Sequence, residues 1–147
     1  MKKETIIDLN KISKILDINS NIDSDLVDLN ILENKKEFDK IIQQGLEILE
    51  HKCSLKVGLK IFKSLIALEG INGLKNGLNL INKILSYLNN DMEIVLDWIN
   101  NKCYFWFVGY NNQKTITKDE YQHIIDLLPK NYNFEKFKHN FALIIKH

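Results

Sequence analysis

Apolar residues recur at three- and four-residue steps along most of this chain, and that spacing predicts helices. Phe38, Ile41, Ile42, Leu46 and Leu49 mark one face of a helix. Asn34, with Glu37 three residues on, forms a capping-box pattern at its start. Lys52-Cys53-Ser54 ends it, and Ser54 is placed to cap the next. From Leu55 to Glu69 the chain is apolar on almost every side, with Lys56, Lys60 and Lys63 as a narrow polar stripe. A helix of that kind must be surrounded by others, so it is the expected central element. Leu74, Leu78, Ile81, Leu85 and Leu88 give the inner face of a further helix. Gly73 and Gly77, four residues apart, leave a flat strip on it where another backbone can approach closely.

The rest of the chain reads in the same way. Ile6, Leu9, Ile12, Ile15 and Leu16 predict an amphipathic first helix, and the polar run from Asp17 to Asp25 is a break. Leu26 to Leu32 is apolar but irregular and takes no firm assignment. Asn89-Asn90-Asp91 closes one helix and can cap the next, which carries Val95, Trp98, Ile99, Cys103, Phe105 and Trp106. Gly109 to Gln113 is a loop. Thr117 with Glu120 is a second capping-box pattern, opening a helix that Pro129 stops. Phe134, Phe137, Phe141 and Ile144 mark the last helix. No period-2 run is long enough for a sheet. The expected fold is all-α: one domain over 1–147, with six to seven amphipathic helices and a buried one near 55–69. Residues 1–33 form its N-terminal part, 34–90 its core and 91–147 its C-terminal helices.

Composition narrows what such a domain does. Apolar residues make up 45% and charged residues 27%, with formal net charge +1. No global field draws the chain to nucleic acid or anionic lipid. Every one of the twenty basic residues is Lys, so the bidentate guanidinium fork that grips phosphate or guanine is missing. Cys53 and Cys103 have no metal-binding spacing and read as free buried thiols of a reducing compartment. There is no apolar leader or membrane-spanning run, and the expected location is the cytoplasm.

No catalytic motif stands out. His51 beside Cys53, and Glu135 with His139 at i,i+4, each lack the third ligand that a zinc site needs. Phosphate loops and nucleophile elbows are absent. No enzyme, cofactor or metal site is therefore expected. Two sets of residues are candidates for binding a partner: the Lys56, Lys60, Lys63 stripe, and Phe105, Phe107 and Tyr110 from the aromatic run. A basic face with aromatics also suits single-stranded nucleic acid, so a nucleic-acid-associated or regulatory module is the alternative. Consecutive aromatics on a helix point in several directions, however, and mostly into a core.

The stretch Ser54 to Leu88 resembles the ImpA-related N-terminal domain of TssA-like proteins of bacterial type VI secretion systems. Ala67-Leu68-Glu69-Gly70 matches the end of that family's first helix. Gly73-Leu74 and Gly77-Leu78 match its two glycine-leucine pairs in register, and Tyr87 matches a tyrosine near the end. With the upstream helix from Phe38, the resemblance covers about 55 residues. It implies an adaptor working by protein–protein contact with baseplate or sheath components, not an enzyme. It leaves self-association open.

Overall fold

The computed structural model describes residues 4–16, 22–88 and 92–146. Helix α1 (Ile22–Asn34) is followed by α2 (Phe38–His51), α3 (Leu55–Glu69), α4 (Ile71–Tyr87) and α5 (Met92–Asn101). A short α6 (Cys103–Phe105) runs straight into a π-helical turn, Trp106–Tyr110, before α7 (Lys118–Leu127) and α8 (Glu135–Ala142). The domain is all-α, as the periodicity predicts, and among the described residues no helix is long and apolar enough to cross a membrane.

α3 is the central element. Val57, Ile61, Phe62, Leu65 and Ile66 are wholly buried, and the helix packs chiefly against α4 and α2. Ser54 starts it, its hydroxyl accepting the Val57 N–H at 3.3 Å. α4 runs back along α3 at close range because glycines face it. A Cβ on Gly73 would lie 1.9 Å from the Leu65 carbonyl oxygen, and one on Gly77 would lie 2.1 Å from the Phe62 ring. The C-terminal helices close the other side of the core. Phe137 and Phe141 stack at 4.4 Å between centroids, and Phe107 meets Phe141 at 5.3 Å. The Thr117/Glu120 capping box forms with both reciprocal bonds, 3.0 and 2.9 Å, and α7 ends ahead of Pro129.

Two expectations need correction. Residues 4–16 are not an amphipathic helix but an extended strap with one 3-10 turn at Leu9–Lys11. Asp8 Oδ1 accepts the Asn10 N–H, and Ser13 Oγ accepts the Ile15 N–H; such local side-chain bonds compete with a helical ladder. The strap's backbone bonds go outward instead: Ser13 N–H to the Leu49 carbonyl, and Cys53 N–H to the Ile15 carbonyl, both at 2.7 Å. Buried Ile12 plugs it into the core.

The unassigned stretch at Leu26 to Leu32 is helical, part of α1. Asn34 does not cap α2 but ends α1, in a Schellman turn. Glu37 N–H reaches the Leu32 carbonyl (3.0 Å), Lys36 N–H reaches that of Glu33 (2.9 Å), and Lys36 takes φ +57°. Glu37, left to start α2, makes no side-chain capping bond. Among the described residues there are eight α-helices, close to the six to seven expected: α1 is one of them, and Lys102 divides α5 from α6. The expected cap at Asn89-Asn90-Asp91, and most of the expected break after Asp17, lie outside the described residues.

Candidate interaction surface

The glycine hinge between α3 and α4 is a structural joint. Gly70 has φ +60° and ψ −126°, a conformation closed to residues with a Cβ. It is a positive-φ helix end, though not in the left-handed α well. The loop after the π turn caps both helices at this point. Asn111 Nδ2 donates to the Ala67 carbonyl at 3.2 Å, and Gln113 Oε1 accepts the Ile71 N–H at 3.2 Å. Two groups that helix ends leave orphaned are thereby satisfied from about forty residues away. On the other side, buried Glu69 accepts from Thr5, backbone N–H at 2.6 Å and hydroxyl at 2.7 Å, while Asn76 Nδ2 donates to the Thr5 carbonyl. Leu74 and Leu78 are wholly buried, and Tyr87 is half-buried with Lys83 and Lys14 over its ring. The motif residues thus serve packing and the joint.

The lysine stripe on α3 meets α1. Lys60 Nζ pairs with Glu33 Oε2 at 2.7 Å, and Lys63 Nζ stands 3.8 Å from Glu33 Oε1. Neither lysine is the freely solvated charge that its place on a polar stripe suggests. Lys56 is exposed and makes no ion pair among the described residues. Together the three lysines line a groove of about 250 Å³ between α1, α3 and α5, floored by Leu26, Leu59 and Trp98. Burial foremost holds the Lys63 ammonium below the ordinary lysine pKa; Glu33 opposes that shift, and Lys60 and Lys102 add to it. Trp98 carries the only buried side-chain polar atom without a hydrogen-bond partner among the described residues, its indole N–H.

Lys63 also joins this groove to the aromatic run. Its Nζ lies 5.9 Å from the Trp98 ring centroid and 5.6 Å from that of Trp106. Trp106 and Tyr110 are stacked at 4.0 Å, Phe38 packs edge-on against both, and Phe105 packs edge-on against Tyr110 at 5.8 Å. The π turn, closed by Asn111 N–H to the Trp106 carbonyl, widens the helix by one residue. Phe105 and Tyr110, five apart, consequently come side by side. They stand 60% and 42% exposed. Phe107 does not belong with them: it is wholly buried, because a residue two beyond Phe105 turns inward to α8. The lysine stripe and the aromatic run, some forty residues apart in sequence, therefore meet on one face through Lys63 and Trp106. Glu33, Phe38 and Trp98 belong to it too. Nothing in the periodicity of α1 marked Glu33 as their partner.

Neither metal-binding pair gathers further ligands: His51, Glu135 and His139 are exposed, while Cys53 is buried. Among the described residues no group of three or more His, Cys, Asp or Glu stands close enough to hold a metal ion. Burial raises the pKa of the Cys53 thiol, and raises that of Cys103 well above the ordinary 9.0. In comparisons with known proteins, the chain matches no family model, no curated protein and no solved structure.

Proposed function

We propose that this domain works by docking to other proteins, as an adaptor of a bacterial type VI secretion apparatus that contacts baseplate or sheath components. The observation that carries the docking reading is the joined face of Lys56, Lys60, Lys63, Trp106, Phe105 and Tyr110. Phe105 and Tyr110 keep 60% and 42% of their surface in water beside the lysines, a cost that an interface recovers. The choice of apparatus rests on the resemblance at residues 38–88. Its support is that Gly70, Gly73 and Gly77 stand where any Cβ would collide with a neighbour, so their register is a constraint on the helix pair.

The nucleic-acid alternative is less favoured, because the chain has no Arg and a formal net charge of only +1, and the Trp106 ring is already stacked on Tyr110. The test is capture by the tagged chain from a bacterium that encodes such an apparatus. Baseplate or sheath proteins are expected among the captured species. Their absence, with the chain folded and expressed, would overturn the reading.

A further inference from the structure

We infer that the groove between α1, α3 and α5 receives an acidic segment of a partner protein that carries an apolar anchor side chain. This rests on the docking reading above and specifies the chemistry of the partner. Among the described residues three ammonium groups border the groove, and the one carboxylate paired with any of them is Glu33, which leaves an excess of positive charge. Lys56 stands at its rim without an acidic partner among the described residues, available to a carboxylate from outside. The floor is of different character. Leu26, Leu59 and the Trp98 indole give the groove, about 250 Å³ in all, an apolar floor on which an aliphatic or aromatic side chain can rest.

A phosphodiester backbone would use the lysines and leave that floor uncovered. The rings nearby are also poor stacking platforms, since the face of Trp106 is already covered by Tyr110 at 4.0 Å. An acidic peptide with a Leu, Ile or Phe anchor uses both halves. Lys63 also lies over Trp106, which is stacked on Tyr110, and the exposed rings of Tyr110 and Phe105 there offer a second apolar side chain a surface to lie on.

The chain has two tryptophans, and Lys63 lies over both rings, so selectively excited tryptophan emission is sensitive to binding at this face. The experiment selects binders from a random-peptide display library, then titrates synthetic copies of them against the intact protein. Enriched sequences are expected to set Asp or Glu beside Leu, Ile or Phe, and to change the tryptophan emission saturably. Lys56→Glu, a substitution of an exposed residue, should weaken binding about tenfold. Glu33→Gln should tighten it severalfold by releasing Lys60 and Lys63, and added salt should weaken it.

The inference is overturned if no acidic, apolar-anchored sequence is enriched, or if Lys56→Glu leaves the affinity unchanged. A mixed-sequence single-stranded oligonucleotide that outcompetes the peptides would overturn it in favour of nucleic acid. The two readings fail separately. If apparatus proteins are captured equally by wild type and Lys56→Glu, the adaptor role stands and the groove falls. Peptide binding without capture of any apparatus protein leaves the groove and removes the machine.

Discussion

At the scale of single residues, the α3–α4 pair depends on hydrogen atoms standing where side chains would otherwise be. A methyl on Gly73 would meet main-chain atoms of Leu65 at 1.9 Å and 2.4 Å, and main chain cannot rotate away as a side chain can. Gly73→Ala should therefore cost about 3 kcal/mol or more, read as a lowered urea midpoint with an unchanged slope. A change smaller than about 1 kcal/mol would mean that the two helices separate easily. Lys36 offers the opposite case. Its φ of +57° in the Schellman turn suits glycine, and its backbone bonds do not involve its side chain. Lys36→Gly should stabilise the domain by about 0.5–1 kcal/mol, after allowing for the greater freedom of glycine in the unfolded chain. The same denaturant curves decide it.

At the scale of elements, the strap of residues 4–16 differs in kind from the helices it crosses. It has little structure of its own and is held by Ile12, by Thr5 on Glu69, and by backbone bonds to Leu49 and Cys53. Such a segment opens locally before the core does. Ile12→Ala should loosen it, and the two thiols report on the difference. Cys53 bonds directly to the strap, whereas Cys103 lies wholly inside the helical core. Alkylation of Cys53 should accelerate about tenfold or more, with Cys103 nearly unchanged. Equal acceleration at both sites would show that strap and core open as one unit. The π turn is a second element with its own consequence, since the extra residue in that turn is what puts Phe105 beside Tyr110.

At the scale of the whole molecule, buried titratable groups contribute to how stability changes at alkaline pH. Both thiols have pKa values raised by burial, so the folded state keeps protons that the unfolded chain gives up. Stability from this source is fully present below the ordinary thiol value of 9.0 and is lost as pH rises above it. Lys63 works with the opposite sign. Its pKa is lowered, so its cost to the folded state is relieved as pH climbs towards the ordinary 10.5. Two thiols, one of them shifted strongly, should outweigh one ammonium. Thermal midpoints should then be level in this contribution from neutral pH to about 9 and fall beyond it. A midpoint that rose above pH 9 would give Lys63 the larger share.

What the chain determines by itself is the set of elements that rest on local physics. The 3.6-residue apolar period from Phe38 to Leu88, the caps at Ser54 and Thr117, and the stop at Pro129 involve bonds between near neighbours, so they can be read in order. The apolar spacing of the strap imitates a helix, while its hydrogen bonds belong to Leu49, Cys53 and Glu69, far away in sequence. The candidate face was legible only in halves. Lys56, Lys60 and Lys63 and the aromatic run could each be picked out, with Phe107 wrongly included. Only the tertiary structure brings Glu33 to the lysines and Lys63 between Trp98 and Trp106. Charge pairing and ring contact act over a few ångströms, at any separation along the chain, and packing alone decides which residues come that close.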